Sequence, residues 1–225
     1  MQIKQKGKND CPRVCVIGAG PSGLAAIKNL QEQGVTDITV FEKNNQIGGN
    51  WVYSEENNHA SIYETTHIIS SKRWSEFEDF PMPAHFPDYP SHALVLDYFR
   101  SYANHFDLTK YIRFNTNVSK VKHTDQGQWQ VIFENDQGTH EEYFDYLLVA
   151  NGHHWDPFMP EYPGQFSGQL LHSHQYKKAS IFKDQRVLVV GGGNSACDIA
   201  VEIARISPKT CISMRRGYNI FPKFV

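Results

Sequence analysis

The sequence predicts an α/β fold, and three observations carry that prediction. Two glycine-rich turns, Gly18-Ala19-Gly20-Pro21-Ser22-Gly23 and Gly191-Gly192-Gly193-Asn194-Ser195-Ala196, each follow a short β-rich run and precede a stretch of helical periodicity. Each is followed, 24 residues after its first glycine, by a charged residue closing a second strand: Glu42 in the first case, Arg215 in the second. Between the two lies a series of short strand-like runs punctuated by turn residues. These are the marks of two Rossmann-like dinucleotide-binding units, the first with a β-meander crossover and the second incomplete within 225 residues.

The elements follow in order. Residues 1–11 are polar and are expected to form a disordered tail. Residues 13–17 form a β-rich run entering the first glycine turn. Residues 22–33 have helical periodicity through Leu24, Ile27 and Leu30, with Gly34 as the stop. A second strand over 37–41 comes next. From 43 to 90 the periodicity vanishes in a loop-rich, aromatic segment punctuated by Gly48-Gly49, Pro81, Pro83, Pro87 and Pro90. A connection of that length in a compact protein is usually functional or contains short elements that leave no periodicity in the sequence.

Ser91 is placed to cap a helix whose apolar stripe, Leu94, Tyr98, Tyr102 and Phe106 with Val95 and Phe99, reads as core. A meander follows over 118–123, 128–134 and 140–144, with turns at Asp125-Gln126-Gly127 and Asn135-Asp136-Gln137-Gly138. Residues 146–150 read as a buried strand. The layout expected is a parallel sheet with one helical crossover and one three-stranded β-crossover. In the second unit, a strand over 186–190, a helix over 194–206 and a strand over 210–214 repeat the pattern.

The closing residues select nucleotides. The glycines admit a pyrophosphate, the helix N-terminus stabilises its charge, and the residue ending the second strand meets the adenosine ribose. Glu42 can accept hydrogen bonds from a free ribose diol. Beside a 2′-phosphate it would cost about 1 kcal/mol in water, or about 4 at an effective dielectric of 20, per charge pair at ~4 Å. That favours FAD or NAD. Arg215, with Arg216 beside it, reverses the sign and offers forked donors to phosphate, which favours NADPH.

Composition narrows the class. A net charge of −2 with no dense basic run argues against nucleic acid or an anionic membrane as partner. No stretch approaches the roughly 18 apolar residues of a membrane helix, and the first ten residues lack an apolar leader core, so a cytoplasmic protein is expected. Cys15, Cys197 and Cys211 lie in predicted strands or helices and read as reduced, buried, small apolar side chains. Cys11 and Cys15 are spaced by three residues, which excludes a C-x-x-C redox pair. His153-His154 and His172-x-His174 lack further ligands at zinc spacing, so no metal site is expected.

The segment from Phe166 to Tyr176 fits F-x-G-x-x-x-H-x-x-x-Y through Phe166, Gly168, His172 and Tyr176, just before the second glycine turn. It resembles the identifying sequence of flavin-containing monooxygenases. The resemblance extends over almost everything from Arg13 onward. Gly48-Gly49-Asn50-Trp51 resembles the family's second flavin-contacting turn, Asp79-Phe80-Pro81-Met82-Pro83 its acidic-proline loop, and Ala150-Asn151-Gly152 its linker between cofactor domains. Asn194-Ser195 and Arg215-Arg216-Gly217 match as well. Tyr176 stands where related Baeyer-Villiger enzymes usually carry tryptophan, which favours the amine and sulfide branch. Ile69 stands where many members have a flavin-facing asparagine; Thr66, His67 or Ser70 could replace it. The family typically continues beyond the equivalent of Val225.

This resemblance implies FAD and NADPH as cofactors, a C4a-hydroperoxyflavin, and transfer of one oxygen atom of O2 to a soft nitrogen or sulfur nucleophile in a small amine or sulfide. Cofactor-binding residues are then Gly18, Gly20, Pro21, Ser22, Gly23 and Glu42, with Gly49, Asn50 and Trp51, for FAD. For NADPH they are Gly191, Gly193, Asn194, Ser195, Arg215 and Arg216. No catalytic side chain is assigned, since the cofactors carry the reaction. The domains expected are 12–165 for FAD, 166–185 as a linker carrying the motif, and 186–225 as the start of the NADPH domain. A truncated FAD-binding fragment, an uncoupled NADPH oxidase and a Baeyer-Villiger enzyme stay open, as do self-association and a separate C-terminal polypeptide.

Overall fold

A computed structural model describes residues 11–56, 60–217 and 219, so ten of the eleven residues of the expected tail lie outside the described residues. The chain divides into two compact units. One runs to Ile62 and resumes over Thr66–Asp156; the other joins Tyr63–Thr65 to the segment that begins at Pro157.

The first unit opens with β1 (Val14–Ile17), α1 (Pro21–Glu32) and β2 (Ile38–Phe41). A short α2 (Lys72–Ser75) and a long α3 (His92–His105) precede β3 (Ile112–Arg113). The meander β4 (Asn117–His123), β5 (Trp129–Asn135) and β6 (Gly138–Phe144) leads into β7 (Tyr146–Val149). The four-stranded sheet is ordered β3-β2-β1-β7 and every pairing is parallel, while the meander forms its own antiparallel sheet.

Side chains alternate across the four-stranded sheet as strand geometry demands. Val16 and Val40 join Leu24 and Ile27 of α1 and Val95, Tyr98 and Tyr102 of α3 in one core. Cys15 and Phe41 point the other way, into a second core with Val131, Phe133 and Phe144 of the meander. Phe41 stacks on Phe133 with ring centroids 4.5 Å apart. The sheet is thus sandwiched between helices and a β layer.

Four expectations need correction. The two-residue β3 was not anticipated, and it gives the parallel sheet a second helix-containing connection, through α3. Residues 146–150 were expected to be buried, but β7 is an edge strand: Tyr146 and Val149 are 59% and 63% exposed. Ser91 occupies the N-cap of α3, yet its side chain makes no capping bond. Cys197 and Cys211 are exposed rather than buried, unlike Cys15, whose thiol burial pushes up to about 12. Cys197 falls off the α4 face that buries Ile199 and Ile203. Cys211 is in register with Leu188, on the outer face of its sheet.

Among its described residues, the segment from 43 to 90 carries only α2 and a single 3-10 turn over Gly49–Trp51 as helix, and side chains hold it down. Tyr98 Oη accepts from Phe77 N–H at 2.7 Å and donates to Phe80 O at 2.6 Å. Lys28 of α1 pairs with Asp79 and with Glu32. The hydrogen bond from Lys28 holds the Asp79 carboxyl below its ordinary range, and Asp79 first, then Glu32, raises Lys28. A depressed folded pKa contributes stability above the unfolded carboxylate value of about 4 and loses it as pH falls through the folded value. The raised Lys28 value contributes stability that is fully present below the ordinary lysine range and is lost only as pH rises above it, so it does not vary between pH 3 and pH 5. Urea midpoints at pH 5 and pH 3 are therefore expected to differ more for the unsubstituted chain than for Lys28→Met; equal differences would contradict this.

In the second unit, β8 (Arg186–Val190), α4 (Asn194–Ala204) and β9 (Lys209–Ser213) form a parallel β-α-β unit. Val187 and Val189 pack toward Ile199, Ile203, Tyr63 and Tyr176, whereas Leu188 and Val190 on the other face are 62% and 52% exposed. No described helix is long and apolar enough to cross a membrane.

Candidate functional site

In the first unit, a cavity of about 830 Å³ opens at the carboxyl ends of β1, β2 and β7. The chain leaves β1 through α1 toward β2 on one side, while β7 lies on the other. That reversal is where open α/β sheets place their ligands. The first glycine turn contributes Gly18, Gly20, Pro21 and Ser22, the second strand contributes Glu42, and the 3-10 turn contributes Gly49, Asn50 and Trp51. The sequence-predicted residues of this unit thus converge on one space, with Gly23 behind them.

The glycines of the turn have different reasons to be glycine. Gly18 has a φ of +99°, and a Cβ on it would lie 2.5 Å from Ala150 O. A Cβ on Gly23 would overlap Gly18 O, so α1 could not start where it does. Both serve the fold itself. Gly20 has ordinary extended backbone (φ −76°, ψ −175°), and a Cβ there would meet only Gly49, 3.5 Å away at Cα. Neither strain nor protein packing calls for glycine at 20. A side chain there would instead occupy room on the cavity wall, beside the N-terminus of a 12-residue helix.

Glu42 is buried, and each carboxylate oxygen accepts one backbone N–H: Ala19 N–H at 2.7 Å and Asn44 N–H at 2.8 Å. Its charge therefore braces the glycine turn. An ionised carboxylate oxygen has room for a second hydrogen bond, so capacity for ligand hydroxyls remains. Asn50 Oδ1 accepts from Ser61 N–H at 2.8 Å and Ser61 Oγ–H at 3.0 Å, which fixes the turn carrying Trp51. Ile69 is 68% exposed and lies off this cavity.

The second turn repeats the plan. Gly191 N–H donates to Ser213 O at 2.9 Å, so the turn starts where β8 and β9 end together. Gly193 caps α4 with ordinary extended backbone (φ −79°, ψ −179°), and a Cβ there would meet nothing within 4 Å. Asn194 and Ser195 open α4. Arg215 and Arg216 follow β9 and are exposed. The parallel pairing puts them at the same sheet edge as the glycines.

Of the residues from Phe166 to Tyr176, those at the carboxyl end anchor locally. Tyr176 is buried and its hydroxyl donates to Glu202 Oε2 at 2.6 Å; burial, then Glu202, raises its pKa. Thr65 also donates to Glu202, and Tyr63 Oη donates to Asp198 Oδ2 at 2.7 Å. His172 Nδ1 accepts from His174 N–H at 3.1 Å. Phe166 is 73% exposed, with its ring against Gly168. Among the described residues, no group of three His, Cys, Asp or Glu side chains could hold a metal.

Sequence reasoning missed several cavity residues: Lys43, Thr116, Asn117, Val118 and the run from His153 to Trp155. Thr116 N–H donates to Glu42 O at 2.9 Å, a contact no local pattern announces. The run from 153 to 155 could have been inferred, because it comes within a few residues of the end of β7, the strand beside β1.

A family model described as flavin-binding monooxygenase-like matches residues 11–225. Flavin-containing monooxygenase 5 of Rattus norvegicus is 43% identical over 215 residues, covering 91% of this chain and 40% of that protein. Dimethylaniline monooxygenase [N-oxide-forming] 2 of Cavia porcellus has the same identity and coverage. Among solved structures, S-allyl-L-cysteine S-oxygenase from Allium sativum superposes with a TM-score of 0.87 at 29% identity, covering 94% of this chain and 53% of that one. The chain thus spans two fifths of the length of the two curated relatives.

Proposed function

The chain belongs to the flavin-binding monooxygenase-like family, and from that premise we propose that it binds FAD in the cavity of the first unit and NADPH at the second glycine turn. The whole protein then acts as an FAD- and NADPH-dependent monooxygenase on a small amine or sulfide. When bound, the flavin takes reducing equivalents from NADPH and activates O2, one atom of which passes to a soft nitrogen or sulfur. Cytoplasmic residence belongs to the same reading.

The observation that carries the proposal is Gly20. It lies on the cavity wall next to the helix N-terminus and one residue from the Glu42-braced Ala19, and the protein itself gives no reason for glycine there. Pyrophosphate approach supplies one. In this arrangement Gly20 admits the pyrophosphate, the first N–H groups of α1 stabilise its charge, and Glu42 accepts from the ribose hydroxyls. Gly49 and Trp51 border the flavin side. Gly193, Asn194 and Ser195 repeat the pyrophosphate role, with Arg215 and Arg216 on the 2′-phosphate. These residues bind and orient the two cofactors, and no protein nucleophile is called for.

The test is an anaerobic NADPH titration of the FAD-loaded chain. Loss of the oxidised-flavin absorbance supports the proposal; FAD binding without bleaching would leave a flavin-binding protein that NADPH does not reduce. A second reading, an uncoupled NADPH oxidase, draws on Ile69 standing where the resemblance expects asparagine and lying off the cavity. Near-stoichiometric peroxide per NADPH in the presence of an amine or sulfide would favour it; peroxide close to zero would dismiss it.

A further inference from the structure

The cavity of the first unit has a direction, set by a chain of contacts along its wall. Gly49 and Gly20 come close enough that a Cβ on Gly20 would lie 3.5 Å from Gly49 Cα. Next to Gly20, Ala19 N–H donates to the Glu42 carboxylate at 2.7 Å. Lys43 follows Glu42, and its Nζ lies 5.5 Å from the centroid of the Trp155 ring. Successive contacts thus link Gly49, Gly20, Glu42, Lys43 and Trp155 along the wall. If the pyrophosphate lies at Gly20 and the ribose at Glu42, the next group outward is the base.

We propose that Trp155 is the surface on which the adenine of the dinucleotide stacks. The inference rests on the FAD reading above. The indole lines the cavity and is 38% exposed, so it borders the open side rather than the core. It is also oriented: Nε1–H donates to Asn151 O at 2.6 Å, closing a turn in which a Cβ on Gly152 would sit 3.5 Å from that nitrogen. A planar ring held from its own turn, in the same cavity as the ribose acceptor and linked to it through Lys43, offers a purine the flat apolar face that a base needs when it leaves water. The Lys43 ammonium restrains the same ring.

The experiment measures FAD, ADP and FMN binding to the 225-residue chain and to W155L, W155A and W155F. FMN carries the flavin without adenosine, and ADP carries adenosine without the flavin. W155L and W155A are expected to weaken FAD and ADP binding about tenfold and to leave FMN binding unchanged, while W155F, which keeps a ring, stays close to the unsubstituted chain. W155L fills much of the same volume without a π face, so it separates stacking from packing if W155A folds poorly. Undiminished ADP binding by W155L, or an equal loss of FMN and FAD, would overturn the assignment of Trp155. Failure of the unsubstituted chain to bind either FAD or ADP would overturn the cavity reading itself.

Discussion

Gly20→Ala is expected to weaken FAD binding on the order of 100-fold, the equivalent of losing one or two charge-assisted hydrogen bonds to a pyrophosphate, while the chain stays folded. The new methyl would meet only Gly49 at ordinary contact distance, 3.5 Å from its Cα, and otherwise faces the cavity. Gly23→Ala is expected to behave in the opposite way. Its methyl would overlap Gly18 O, forcing α1 away from the turn. Overpacking of that kind costs about 1 to 3 kcal/mol. Thermal melts and FAD titrations on both variants check the pair. Equal losses of affinity at equal stability would show that Gly20 is not where a ligand approaches.

Substituting Arg215 and Arg216 together with alanine is expected to lower the preference of the FAD-saturated chain for adenosine 2′,5′-bisphosphate over AMP by roughly 30- to 100-fold. Two charge-assisted contacts to phosphate set that range, and exposure of both arginines places it below what buried pairs would give. The effect should shrink with added salt, since exposed charges are screened over about 10 Å at 0.1 M. Stability should hardly change, because both side chains are exposed. Calorimetry with the two nucleotides reads the ratio directly, and an unchanged ratio would remove the arginines from the phosphate site.

The parts of this fold that were legible in the sequence are those with local causes. The helical spacing of Leu24, Ile27 and Leu30, the aromatic stripe of α3 and the alternation of the meander each record which face meets the core. The two glycine turns were legible because their chemistry is compressed into six residues each. What escaped was set by distant neighbours. The two residues of β3 carry no periodicity and form a strand only because β2 offers an unpaired edge. The exposure of Cys197 and Cys211 depended on which face of α4 and of the small sheet was covered, and apolar character alone does not say.

The site divides in the same way. Gly18, Gly20 and Glu42 could be read from spacing, since one β-α-β unit holds them all. Thr116, bonded to Glu42 O, and Trp155, against Lys43, come from other parts of the chain, beyond the ends of β3 and β7. The acidic-proline loop likewise takes its place from Lys28 and Tyr98, partners that its own sequence does not name.

In the proposed function, the cavity at the ends of β1, β2 and β7 holds the adenosine of FAD against Glu42. A crystal structure of the chain grown with FAD tests it most directly. Ribose oxygens are expected within about 3 Å of the Glu42 carboxylate, with the pyrophosphate over Gly20 and Ser22. FAD bound elsewhere, or bound in this cavity with Glu42 facing away from the ribose, would contradict it.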